Sequence, residues 1–461
     1  MMRTDNVNNR EPMSVVDTAW LRMDSPENLM VINGVFQFEE HYPRSRLREL
    51  LEERLLAIPR FRKKPVNDGK RYFWEEVPEL DMDYHLTDAQ LPPADNEEKA
   101  LREFANRLIS SPLDADKPLW RFFYVEQYQG GTAVMFQVHH SYADGIALMS
   151  VLDALADESV LDSSPAARAG RGFPSNMATS FMGKLLGALK TSLFYLGFAA
   201  GWIYEAMRVV LLPADSKTSY KRPLTTEKSV AWAPSLDVAE VKKVGKAMGC
   251  TINDVLLGCV AGSLRDYLVQ QGEPVDGVVV RATVPVNLRP ISKAMNLGNE
   301  FGLVYLDLPV GEKTALDRVR KVRQTMARLK NGIQAVMSYN VLGILGFFPL
   351  GFQRFALNFF SHKASAVMTN VPGPTKPVML KGSPLAKPMF WVPQSGDIGI
   401  GVSILSYDGK VEFGLIADKA LIHDPQEIVK GFVAEYEHLK ESVLNSAEVN
   451  GALATATSTS H

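Results

Sequence analysis

Two histidines side by side, His139 and His140, close an apolar run in the stretch QVHHSYADG, and Asp144-Gly145 follows four residues on. These residue types at this spacing are compatible with several kinds of chemistry. A zinc site could draw on His139, His140 and Asp144. Adjacent strand residues point to opposite faces, however, and no cysteine or further histidine clusters nearby in sequence. A serine hydrolase of the nucleophile-elbow kind would carry Gly-x-Ser-x-Gly, which the chain lacks. A lone histidine acting as general base is a third arrangement: it takes a proton from a bound hydroxyl, which then attacks an activated acyl carbon with no covalent intermediate. An unperturbed imidazole titrates near neutrality, the range such work needs. A purely structural role is a fourth, with the two histidines satisfied in the core and Asp144 capping the next helix.

The elements that must position these residues follow from periodicity. PLWRFFYVEQYQGGTAVMFQVHH (118–140) predicts a hairpin turning at Gly130-Gly131, so the histidines stand at a strand end. Only one of them then faces a cleft. Residues 145–157 predict a helix with an apolar stripe, and Gly145 gives its corner conformational freedom. Upstream, 29–39 alternates like a strand and 45–65 reads as an amphipathic helix ending near Pro59. Downstream, 250–271 and 423–443 predict helices, the latter with Asp424 as N-cap and Pro425 in its first turn. Residues 275–290, 299–310, 365–374 and 398–418 predict strands, the last a hairpin around Asp-Gly. Both halves mix strands and helices, so an α/β or α+β architecture is expected.

Length and composition bound the partners. At 461 residues two domains are the natural expectation, and 46% hydrophobic with 22% charged residues suits a folded globular chain. A net charge of −2 leaves no basic excess for phosphate backbones, so no nucleic-acid partner is expected. Cys250 and Cys259 fall nine residues apart within one helical pattern, which disfavours a disulfide and suits a reducing compartment. The opening residues lack the apolar core of a secretory signal, and a cytosolic location is expected. Residues 176–213 are apolar with basic flanks, and their uncharged run from Thr191 to Tyr204 is 14 residues, short of the roughly 20 that span a bilayer. Such a segment suits either a membrane or lipid-droplet surface or a buried helix pair. A second greasy stretch, 340–360, is broken by Pro349. Residues 158–175 read as a linker and the last 18 residues or so as disordered.

The blocks together resemble the wax ester synthase/diacylglycerol acyltransferase family of the HHxxxDG acyltransferases. His139-His140-Ser-Tyr-Ala-Asp144-Gly145 matches the signature; SSPLDADKPLWRF (110–122), TINDVLLGCVAGSLRDYL (251–268), TVPVNLRP (283–290), LGNEFG (297–302) and TNVPGP (369–374) fall in the family's order. LDMDYHL (80–86) is similar as well, so the likeness covers roughly residues 14–440. The chain departs at 27–38, which lacks the histidine many members carry there, and at Asn287, where Ser is common. These departures bear on acceptor and chain-length preference.

The resemblance implies two chloramphenicol-acetyltransferase-like domains, each a mixed sheet with helices, at 14–160 and 221–443. Residues 161–220 would link them and carry the apolar, basic segment, with a tail at 444–461. A tunnel between the domains would meet at His140, the implied base, with His139 in support. Asp144 would hold the loop and pair with Arg289. Asn253 and Asp254 would shape the site or cap their helix, and Pro118, Leu119 and Trp120 would line an acyl channel or pack the core. Acyl-CoA is implied as substrate, with no cofactor or metal, and a fatty alcohol or diacylglycerol as acceptor. A peripheral place on the inner membrane surface or on lipid inclusions goes with such an acceptor. Another acyl transfer or condensation on carrier-bound substrates, and a non-catalytic lipid-surface role, remain open alternatives.

Overall fold

The computed structural model describes residues 10–160, 207–288, 301–330, 337–338 and 350–458. The first half runs β1 (Arg10–Pro12), α1 (Val15–Met23), β2 (Val31–Phe38), α2 (Arg44–Leu50), β3 (Lys63–Asn67), β4 (Tyr72–Glu76), α3 (Met82–His85), β5 (Leu86–Asp88), α4 (Glu97–Ile109), β6 (Trp120–Tyr128), β7 (Gly131–His139) and α5 (Gly145–Leu155). The second runs β8 (Lys228–Trp232), β9 (Leu236–Asp237), α6 (Val238–Ala247), α7 (Ile252–Gln270), β10 (Val280–Asn287), β11 (Phe301–Leu308), α8 (Ala315–Lys330), α9 (Leu350–Ser361), β12 (Ala366–Pro372), β13 (Met379–Leu380), β14 (Ser383–Pro384), β15 (Lys387–Trp391), β16 (Ile400–Tyr407), β17 (Lys410–Asp418) and α10 (Pro425–Ser458).

β7 is the strand on which the first half is built. Every residue of it is buried, because β2 and β6 flank it and packed side chains cover both faces. The first sheet has the order β15-β2-β7-β6-β5, antiparallel except for β5 beside β6. The hairpin turns one residue earlier than the sequence predicts. Gln129 (φ 53°) and Gly130 (φ 82°) form the two-residue turn, while Gly131 already belongs to β7. Gly131 is needed there because a side chain would overlap the Phe38 carbonyl of β2. The predicted helix over 45–65 is also shorter. It continues from α2 only as a wide turn, Leu51–Leu55, and Pro59 opens a separate short 3₁₀ turn that leads into β3.

The second sheet is mixed, β11-β10-β12-β16-β17-β8 with β9 also on β17, and the β10/β12 and β12/β16 pairs are parallel. α7 lies buried against it together with α6, α8 and α10. The Asp408-Gly409 turn between β16 and β17 has positive φ at both residues, as its sequence predicts. Residues just before 221, expected in the linker, already belong to this half. Asp215 Oδ2 accepts the Arg281 amide at 3.0 Å, and the Tyr220 hydroxyl donates to Leu264 O at 2.8 Å. At the other end α10 continues to Ser458, where the sequence suggests a disordered tail; the alanine-rich stretch favours helix over the turn residues scattered through it.

β15 ties the halves together. It comes from the second half in sequence, yet pairs with β2 from Lys387↔Gln37 to Trp391↔Asn33. Trp391 is fully buried in a cluster that joins Val35 and Met135 of the first sheet to Trp232 and Ile416 of the second. We therefore expect both halves to unfold in one cooperative transition, with far-UV circular dichroism and tryptophan fluorescence coincident in urea. Trp391→Ala should lower that transition by about 3–5 kcal/mol. Two separated transitions in the wild-type protein would show that β15 does not couple the halves.

Candidate active site

The last residues of β7 decide which histidine faces the cleft. His140 stands just beyond the strand end, held by its amide to Met30 O at 2.7 Å, and its side chain lines a cavity of about 310 Å³ between the halves. His139, next to it, points the other way. Its Nδ1 accepts the Ser141 amide at 3.1 Å and lies 2.8 Å from Ser141 Oγ, which assigns the ring proton to Nε2. That nitrogen faces Asp24 Oδ1 at 4.0 Å. Burial, and then repulsion from His140, pushes the His139 imidazole down to about 3, so it is neutral at ordinary pH. Burial also raises the Asp24 carboxyl, against the hydrogen bond it accepts from the Met30 amide at 2.6 Å. Asp24 thus fixes the residue whose carbonyl in turn holds His140.

The chain turns from β7 into α5 through Ser141, Tyr142, Ala143 and Asp144, all buried. The Asp144 carboxylate caps α5 by accepting the Ala147 amide at 2.8 Å, the structural role its position predicts. Asp144 and Gly145 also line the cavity. Arg289, the expected partner of Asp144, lies outside the described residues.

Several wall residues have no sequence signal of their own. Trp20, from α1, stacks on His140 with ring centres 4.2 Å apart and planes 19° from parallel. Phe301, at the start of β11, lies 5.9 Å from His140 and 5.6 Å from Trp20, so the three rings form one cluster. Both are separated from His140 by over a hundred residues of chain, a contact no local pattern announces. The second half also supplies the polar side chains Asn287, Thr369 and Asn370. Asn370 Nδ2 donates to Asn253 Oδ1 at 2.8 Å, so Asn253 stands one residue back from the cavity. Asp254 does not reach it: with Thr251 it forms the capping box at the start of α7. Pro118, Leu119 and Trp120 are likewise not part of the lining. Trp120 is fully buried behind Phe61, whose carbonyl its indole meets at 2.8 Å, and stacks on His85 at 4.0 Å. Their place is core packing rather than channel wall, with the Trp120 ring held between Phe61 and His85. Among the described residues no group of three or more His, Cys, Asp or Glu side chains could hold a metal ion.

The cavity wall is overwhelmingly apolar, with α5 over it and the first sheet under it. One imidazole in the wall of an apolar cavity suits proton transfer to or from a lipid-like substrate.

The chain was compared with known proteins. Residues 13–256 match the model of the wax ester synthase/diacylglycerol acyltransferase catalytic domain, and residues 297–440 that of the family's C-terminal domain. Two Mycobacterium tuberculosis proteins, each bearing the name probable diacylglycerol O-acyltransferase, are similar along their length. One is 29% identical over 427 residues, covering 87% of this chain and 88% of the relative. The other is 27% identical over 457 residues, covering 93% and 98%. A solved wax ester synthase/diacylglycerol acyltransferase from Marinobacter aquaeolei VT8 shares the fold with a TM-score of 0.66 at 20% identity, over 94% of this chain and 99% of that one. The starter condensation domain of rhizomide synthetase shares it at 0.58 and 13% identity, over 95% of each chain.

The depressed His139 and His85 imidazoles, the latter at about 4 through burial, carry a stability consequence. Both titrate lower in the folded chain than in the unfolded one, so the unfolded state binds more protons as pH falls below about 6.5. Stability is therefore fully present above that pH and is lost as pH drops toward the folded values. Thermal unfolding of wild type and His139→Gln from pH 7 to 4 should show a shallower acid decline in the variant. Parallel declines would place the proton elsewhere.

Proposed function

This chain belongs to the wax ester synthase/diacylglycerol acyltransferase family of acyl-CoA-dependent O-acyltransferases, and we propose that His140 is its general base. The observation that carries this is the divergence of the two histidines: His140 lines the cavity, whereas His139 is neutral and turned into Ser141 and Asp24. His140 removes the proton from the hydroxyl of a fatty alcohol or diacylglycerol, and the oxygen attacks the thioester carbonyl of acyl-CoA. The tetrahedral intermediate collapses to the ester, and the proton passes from His140 to the departing CoA thiolate. Asn287, Thr369 and Asn370 are the polar side chains across the cavity from which the carbonyl oxygen can draw hydrogen bonds. In this reading the units 14–160 and 221–443 work as one enzyme around a shared cavity.

Trp20 serves the base. The face of its indole lies along the imidazole, and a ring that becomes cationic during proton transfer is stabilised there. His139 and Asp144 act by holding the corner, Asp144 through its cap on α5.

The same reading includes an apolar lipid surface as partner. Among the described residues no helix is long and apolar enough to cross a membrane. What supports peripheral attachment is a pair of neighbouring exposed apolar edges, Met207, Val210 and Leu211 on one side and Phe352, Phe355 and Phe359 on α9. Lys363 joins them, donating to Val210 O at 2.9 Å and to Leu212 O at 2.5 Å with its ammonium 4.4 Å over the Phe359 ring. Most of the greasy 176–213 stretch lies outside the described residues.

Thiol release from palmitoyl-CoA, with hexadecanol or a diacylglycerol as acceptor, tests the reaction. His140→Ala should lose about 10²–10⁴ of the rate, and near wild-type turnover in a folded variant would remove His140 from the mechanism. Trp20→Leu should lower kcat by roughly three- to thirty-fold with KM little changed, and Trp20→Phe should recover part of it. Sedimentation with anionic phospholipid vesicles should weaken in a Leu211→Ser, Phe355→Ser double variant; unchanged binding would sink the lipid surface at this edge.

A further inference from the structure

The cavity ends abruptly on the first sheet. On β7 the side chains facing it are His140, Val138 and Phe136, spaced two residues apart. The next on that face, Val134, is buried in the core and does not line it. On the neighbouring strands the lining ends close by: Phe122 of β6 lies opposite Phe136, Phe36 of β2 reaches one pair further, opposite Val134, and Phe38 and Tyr124 beyond them are core. At ~3.3 Å per residue, the floor from His140 to Phe136 is about 13 Å long. It is apolar throughout after the imidazole.

Phe136 closes this end through an unusual support. Its partner across the β2 pair is Gly34. A side chain at 34 would overlap the tip of the Phe136 ring and crowd Met389 O at 2.6 Å. The ring therefore lies down across β2 over a bare backbone, where it fills the space a substrate chain would otherwise enter. Phe36 and Phe122 flank it with ring centres 4.9 and 6.1 Å away. Resting on the acyltransferase reading above, we infer that the Phe136 ring, laid over Gly34, is the stop that sets how long a saturated chain this cavity accepts. Shrinking it opens the floor onto Gly34, and enlarging it moves the stop toward His140.

The test uses full-length Phe136→Ala, Phe136→Leu and Phe136→Trp in two series. One varies the donor from octanoyl- to stearoyl-CoA against hexadecanol, and the other varies the alcohol from octanol to octadecanol against palmitoyl-CoA. The Ala and Leu variants should move the optimum of one series to longer chains, gaining roughly fourfold in kcat/KM for each further methylene admitted. The Trp variant should move the same series to shorter chains. Whichever series moves identifies the tail, donor or acceptor, that lies against Phe136. Unchanged optima in both series, or an equal loss at every length, in variants that keep wild-type Tm would overturn the inference. Should the Ala variant fail to fold, Leu, which retains most of the volume, decides. Calorimetric binding of the same chains to His140→Ala and to its double variant with Phe136→Leu separates the two readings. If wild type transfers no acyl group, the reaction reading fails by itself, and the binding optimum still tests Phe136.

Discussion

The two-residue period of β7 is the constraint on which the site rests. A strand buried on both faces must send alternate side chains to opposite cores, so His140 shares a face with Val138 and Phe136 while His139 shares one with Gln137 and Met135. One face becomes the cavity floor and the other packs against α4 and the second sheet. The divergence of the two histidines is thus a property of the backbone, and it gives one imidazole an apolar, substrate-sized space and the other a closed polar nook. A slip of one residue in the β2–β7 register would exchange them.

The rest of the architecture protects that register. β15, contributed by the second half, fixes the free edge of β2, and its Trp391 and Met389 fill the seam between the sheets. Met30 receives the His140 amide and is itself held by Asp24, while Asn28 in the same loop donates to Gly396 O at 2.8 Å. The loop that supports His140 is therefore anchored to the second half of the chain. Buried ion pairs secure the outer frame, such as Lys228 with Asp418 at 2.7 Å and Arg318 with Glu435. Pairs of this kind are costly to desolvate, and their contribution lies more in fixing geometry than in stability. The cavity itself carries few charges, which keeps its interior suited to a lipid chain.

Much of this was legible in local sequence because local forces decide it. Asp144 capping α5, the capping box of Thr251 with Asp254, and the Asp408-Gly409 turn each depend on residues within a few positions. The differences have equally physical origins. The hairpin turned at Gln129-Gly130 because Gly131 had to pass close beneath the Phe38 carbonyl, a neighbour known only once β2 is in place. The helix after Arg44 gives way at Leu51 to a wide turn and stops before the Pro59 that the sequence marks as its end. Pro-Leu-Trp at 118–120 reads as channel wall or, better, as core, and Trp120 packs against His85 and Phe61 in the core.

What the sequence by itself determined was the corner: an apolar strand, two diverging histidines, a capped helix and the family signature that joins them. Periodicity and capping act over a few residues, so they survive without knowledge of the fold. Only the tertiary structure decided what surrounds His140. Trp20 and Phe301 beside His140, Asn370 across the cavity, β15 on the edge of β2 and the Phe136 ring over Gly34 bring together segments far apart in the chain. Such contacts are set by how two sheets pack, and no local pattern of residues encodes them.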